Sequence, residues 1–135
     1  MRMLGIDYGS VRVGVALGDT ITNLASPWTV ISGTDRLELL RKLHDLIANE
    51  HIEAVVVGIP KPLHDREHEN DQVKEVKLFI EDMKAQGVVV HEEDEAMSSQ
   101  LAARQVQAAG EKGKRDDLAA TVILQSWLDR HAVSS

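Results

Sequence analysis

Cysteine is missing altogether from these 135 residues. Its absence excludes disulfides, thiolate metal sites and a cysteine nucleophile, and it fits a reducing compartment. Aromatic side chains are nearly as scarce: one Phe, one Tyr and two Trp. So few rings are a poor supply for the stacking platforms that hold single-stranded nucleic acid. No apolar run approaches the length of a membrane span, and no charged-then-apolar leader opens the chain. The expected location is the cytoplasm, with no membrane partner. Internal repeats, low-complexity tracts and a domain boundary are also absent, so the chain reads as one domain over residues 1–135.

A basic excess is lacking too. The formal net charge is −7, against the positive balance usual for a general nucleic-acid binder. A cluster of carboxylates that cations fill would account for part of that count. The basic residues are unevenly spread: Arg104, Lys112, Lys114 and Arg115 stand just ahead of Asp116, and Arg12 lies in the first hairpin. They are either phosphate contacts or an ordinary solvated surface.

What is present reads as alternating strands and helices. Met3-Leu4-Gly5-Ile6-Asp7 is an apolar strand ending in a carboxylate, and Val11 to Leu17 returns as a second strand. Thr22 to Ile31 is a third, placed at an edge or bulge by Pro27. Leu37, Leu40, Leu43 and Ile47 recur at helical spacing, with Ser32 or Thr34 as the N-cap. Ala54 to Ile59 is continuously apolar, as in a strand covered on both faces. A helix with Val73, Val76, Phe79, Ile80 and Met83 on one face stops at Gly87. Val88-Val89-Val90 is a short buried strand running into an acidic stretch at 92–95, which alone reads as a solvated loop. A helix capped by Ser98 or Ser99 and a last one from about Asp117 to Arg130 complete the chain. The order β-β-β-α-β-α-β-α-α predicts an α/β fold: a three-strand antiparallel meander extended by two parallel strands into a mixed five-stranded sheet, with helices on its faces.

The parallel strands of such a sheet end along one edge, where ligands usually bind. Asp7 ends the first strand, Asp94 and Glu95 follow the last, and Asp116 begins a helix that can fold back across that edge. Their convergence would make a carboxylate site suited to Mg²⁺ or Mn²⁺. Two cations there can activate water and stabilise the leaving oxygen of a phosphodiester. Asp7, Asp94 and Asp116 are the expected metal ligands, with Glu95 a further catalytic candidate. Gly9 and Ser10 form an open turn where a phosphate can approach backbone and hydroxyl donors, and Arg12, Lys114 and Arg115 are candidate substrate contacts. Each carboxylate also has a structural reading: Asp7 as a turn cap, Asp116 or Asp117 as a helix N-cap. His64 and His68 share a polar loop with Pro62 and lack the helix that would make them a zinc pair.

Leu4-Gly5-Ile6-Asp7-Tyr8-Gly9-Ser10 with Arg12-Val13-Gly14-Val15-Ala16 resembles the opening of the YqgF/RuvX family. Further blocks agree in order: Val56 to Pro60, Asp94-Glu95 with Ser98-Ser99, and Asp116 with Ala119-Ala120 and Ile123-Leu124-Gln125. The resemblance implies an RNase H-like fold and a metal-dependent nuclease of structured nucleic acid. RNA in pre-16S rRNA maturation is the first expectation, and branched DNA, as in Holliday-junction resolution, the second. It implies Asp7 as the shared metal ligand and Asp116 as the ligand from the last helix, and it leaves Asp94 and Glu95 as alternatives for the third. Junction resolution would require a homodimer, because two strands are cut symmetrically. Ala96 replaces the Arg usual after the Asp-Glu pair, Arg115 stands where an apolar residue is common, and Lys61 to Arg66 replaces an Asn- and Gly-containing turn. These departures bear on substrate preference. Two other classes remain. One is a non-catalytic nucleic-acid-binding protein that has kept the fold. The other is an ATPase of the actin and sugar-kinase type, for which one such domain is too few.

Overall fold

The computed structural model describes residues 1–9, 11–59, 71–94 and 115–131, with side chains from Val73 and Leu118 onward in the helices that open the last two segments. The elements are β1 (Arg2–Asp7), β2 (Arg12–Asp19), β3 (Leu24–Ser32), α1 (Arg36–Asn49), β4 (Ala54–Ile59), α2 (Asp71–Ala85), β5 (Val90–Asp94) and α3 (Arg115–Arg130). The expected helix at 98–108 lies outside the described residues, as do His64 and His68.

The five strands form one sheet in the order β3-β2-β1-β4-β5. β1, β2 and β3 are antiparallel neighbours, while β4 and β5 add in parallel beside β1. The expected mixed sheet is therefore the observed one. β4 sits between β1 and β5 and is buried along its whole length, which is why it reads as an unbroken apolar run. Pro27 lies on the edge strand β3, next to a register shift opposite Val15 and Ala16. Proline cannot donate to a ladder and is tolerated there.

Three sequence expectations are corrected. β3 begins at Leu24 rather than Thr22, because the preceding residues make the turn: Asp19 Oδ1 accepts from Ile21 N at 2.7 Å and Asn23 adopts φ 57°. The cap of α1 is Asp35, which accepts from Glu38 N at 3.2 Å, while the Ser32 and Thr34 hydroxyls bond each other at 3.0 Å. The last strand is not Val88-Val89-Val90. It starts at Val90 and continues through the acidic run to Asp94, paired from Val55↔Val90 to Ile59↔Asp94. That run is a sheet edge and not a solvated loop, and charged side chains are the usual protection of an edge strand. Gly87 does stop α2, at φ 86°, with its N–H donating to Lys84 O at 3.0 Å.

The sheet has a core on each face. On one, Leu4, Ile6, Val13, Val15, Val55 and Val57 pack with residues of α1 and α2 such as Leu39 and Phe79. On the other, Met3, Ala16, Ala54 and Val56 pack with Ala120, Ile123, Leu124, Trp127 and Leu128 of α3. Glycines let α3 lie almost directly on the backbone. A Cβ at Gly5 would stand 2.6 Å from Leu124 Cβ and 2.8 Å from Ala120 O, and one at Gly18 would stand 2.8 Å from Leu124 Cδ2. Gln125 fastens the same helix sideways to the start of β3: its Oε1 accepts from Ala25 N and its Nε2 donates to Asn23 O, both at 2.9 Å. Gly5→Ala must push α3 off the sheet, because a backbone carbonyl cannot give way as a flexible side-chain end can. The expected cost is about 1–3 kcal/mol, read as a fall of several degrees in the thermal midpoint.

Candidate active site

Strand alternation decides which residues meet. On β1, Met3 and Gly5 face α3, while Leu4, Ile6 and Tyr8 face the opposite core. Tyr8 is held there by Phe79, with ring centroids 4.8 Å apart. Its hydroxyl pKa is raised, first by burial and then by the charges of Glu75 and Asp82, with Arg36 opposing. Asp7, between Ile6 and Tyr8, therefore belongs to the α3 face, half-buried at the C-terminal end of its strand.

The turn after Asp7 is tight. A Cβ on Gly9 would come within 2.4 Å of Arg12 O, so the turn itself requires glycine there. Arg12 opens β2 with an exposed side chain, on the same edge of the sheet as Asp7. Ser10 lies outside the described residues.

On β5, His91 and Glu93 take the α3 face: the His91 ring lies 4.9 Å from Trp127 by centroids, and Glu93 is ion-paired with Arg130. Val90, by contrast, packs against the α1–α2 core. Asp94 has the parity of Val90 and is paired with Ile59. The register thus sets Asp94 and Asp7 on opposite faces. Glu95 and Lys114 lie outside the described residues. Among the described residues, no three His, Asp or Glu side chains come together to hold a metal ion.

Asp116 lies in the first turn of α3, in a stretch where the backbone alone is described. The contacts further along fix the helix direction. Leu128 lies beside Gly18, the partner of Met3, whereas Ala120 O lies over Gly5, two residues further along β1. Going back along α3 therefore goes forward along β1. One more helical turn from Ala120 reaches position 116, and two more strand residues from Gly5 reach Asp7. The backbone brings these two ends toward the same edge. Arg115 is the first residue of that turn.

Glu93 is the residue that sequence reasoning missed. It is 1% exposed, and its Oε2 has no hydrogen-bond partner among the described residues. Its level in the sheet is that of Gly58, and Gly58 follows Val57, the partner of Ile6. Asp7 and Glu93 thus flank a glycine on the same face, roughly 10 Å apart at two strand spacings. The acidic run at 92–95 was the only signal in the sequence. The partner that permits its burial, Arg130, is 37 positions away.

The chain is 34% identical over 140 residues to a Sulfurihydrogenibium protein named as a candidate pre-16S rRNA nuclease, covering 99% of this chain and 94% of that one. A Mycobacterium leprae protein with the same name is 36% identical over 136 residues, covering 96% and 73%. Among solved structures, T. thermophilus RuvC in complex with its Holliday-junction substrate matches with a TM-score of 0.64 at 16% identity, covering 96% of this chain and 95% of that one. The large terminase nuclease of the thermophilic phage G20c matches at 0.61 and 13% identity, covering 93% and 81%. These two likenesses establish the RNase H-like fold of the resolvases. The profile described as RuvX, Holliday junction resolvase, matches residues 1–130, and the chain belongs to that family.

Proposed function

We propose that this nuclease hydrolyses phosphodiester bonds of structured RNA in a metal-dependent reaction, as a step in maturing the 5′ end of pre-16S rRNA. Asp7 is the observation that carries the reading: a half-buried carboxylate at the C-terminal end of β1, toward which the first turn of α3 runs. The donor set fits the cation, since carboxylate oxygens suit Mg²⁺ or Mn²⁺.

Asp7 and Asp116 would hold the metal, with the third carboxylate supplied by the residues that follow Glu93. Bound divalent cations supply Lewis acidity, which activates the attacking water and stabilises the leaving oxygen. The protein's own residues orient the substrate. Arg12, exposed at the start of β2, and the turn at Gly9 share the Asp7 edge of the sheet, where a scissile phosphate would enter; Ser10, Lys114 and Arg115 are the further substrate contacts that the sequence suggests. An RNA-processing role places the protein in the cytoplasm. Among the described residues, no helix is long and apolar enough to cross a membrane.

Junction resolution is the second reading, favoured by the family description and by the junction-bound RuvC neighbour. It requires a homodimer presenting two such sites.

End-labelled precursor-rRNA fragment, single-stranded RNA and a four-way DNA junction, each with Mn²⁺, Mg²⁺ or EDTA, separate the two. Cleavage of the precursor fragment that EDTA abolishes is the expected result. Symmetrical cutting of the junction with the RNA left intact would move the assignment to resolution. No cleavage by folded protein would leave a nucleic-acid-binding role.

A further inference from the structure

The two elements that carry or lead into the candidate carboxylates are β5, which ends at Asp94 just before position 95, and α3, which has Asp116 in its first turn. Two side-chain contacts among the described residues join them, an ion pair and a ring contact. Glu93 is buried with its side chain fully covered, while Arg130, in the last turn of α3, is 44% exposed. Two residues earlier on β5 and three earlier on α3, the His91 and Trp127 rings are in contact, and Trp127 also stacks on His131 at 4.1 Å. Trp127 is thus held between a strand residue and a residue past the helix end.

On its other side α3 is fixed to β3 by Gln125, and beneath it is seated on Gly5 and Gly18. Ala54 and Val56 of β4 pack under it as well, and the Glu93–Arg130 pair and the ring contact tie it directly to β5. A buried carboxylate makes an exacting joint: with Oε2 unpartnered, the Arg130 guanidinium is its one hydrogen-bonding partner among the described residues. Movement of α3 away from β5 would strand a charge in the interior, so the pair resists it more steeply than an apolar contact would.

We propose that Glu93 and Arg130 are positioning residues, which set the separation between the carboxylates at and just after the end of β5 and the carboxylate in the first turn of α3. The inference rests on the nuclease reading above. Neither residue touches substrate. They act through the placement of the metal ligands, where an error of about 1 Å can cost on the order of 100-fold in rate.

The absence of cysteine makes a direct test practical. Nitroxide labels at Glu92→Cys, exposed on β5, and Ala119→Cys, near the start of α3, report the separation of the two elements. A narrow distance distribution is expected in the parent, a markedly broader one in Arg130→Ala, and a return toward the narrow one in Arg130→Lys. In the unlabelled background, Arg130→Ala should lower kcat roughly 10- to 100-fold with KM little changed and weaken Mn²⁺ binding measured by calorimetry. Should Arg130→Ala prove too unstable, Glu93→Gln, which keeps an oxygen acceptor, gives the same readouts. Unchanged distances and kcat in a variant with only a lowered thermal midpoint would overturn the inference and leave the pair a stabilising contact. Failure of the nuclease reading looks different: the parent itself would neither bind Mn²⁺ nor cleave, whatever the distances did.

Discussion

Asp7→Asn should abolish cleavage while leaving the fold intact. The substitution keeps the size and shape of the side chain and removes the charge. Charge is what a hard divalent cation requires of its ligand. Metal assistance is worth several kcal/mol in phosphodiester hydrolysis, so losing the shared ligand should lower kcat by roughly a thousandfold or more. Stability should move the other way or not at all. The backbone brings the first turn of α3, with Asp116, toward the edge that holds Asp7, and in EDTA removing one negative charge there would relieve repulsion between the two. A thermal midpoint in EDTA that is equal to the parent's or higher is the expected result, measured on the protein used for the cleavage assay. A fall of more than about 5 °C, or over roughly 1 kcal/mol for a domain of this size, would show instead that Asp7 is a turn cap. The two readings predict opposite signs, so one melting curve separates them.

Asp7 was legible in the sequence because a carboxylate at the end of an apolar strand stands out against its surroundings. The meander and the parallel β4 were legible for a similar reason: alternation marks a strand with two different faces, and the unbroken run from Ala54 to Ile59 marks one with none exposed. β5 was not. Three valines draw the strand assignment to 88–90, and four charged or titratable residues after them read as solvent-facing. The ladder with β4 runs through those residues because β5 is an edge strand, with room for charge on a half-covered surface. Glu93 is buried only because Arg130 reaches it from the end of α3, and no local pattern encodes a pairing over that separation. The glycine seat of α3 was equally hidden. Gly5 and Gly18 read as ordinary strand glycines until the helix that needs their missing side chains is known.

The same shift of β5 favours one of the two candidates for the third ligand. If the strand ended at Val90, Asp94 and Glu95 would be loop residues with no preferred face, and either would serve. With the ladder continuing to Ile59↔Asp94, parity applies. His91 and Glu93 lie on the α3 face, the face of Asp7, and Asp94 lies on the other. Counting on by the strand period of two from Glu93 reaches position 95 and not 94. Glu95→Gln should therefore behave like Asp7→Asn, with kcat reduced by roughly two to three orders of magnitude and Mn²⁺ binding weakened in calorimetry. Asp94→Asn should retain activity within about tenfold of the parent, the scale of effects on groups that only orient ligands. Its half-buried carboxylate sits beside β4 on the face of the α1–α2 core. The pair of variants is decisive because the residues are adjacent and alike in charge, so a general electrostatic contribution to substrate binding would weaken both equally. A large loss in Asp94→Asn with little in Glu95→Gln would mean that the edge strand turns over after Glu93, and would reassign the ligand.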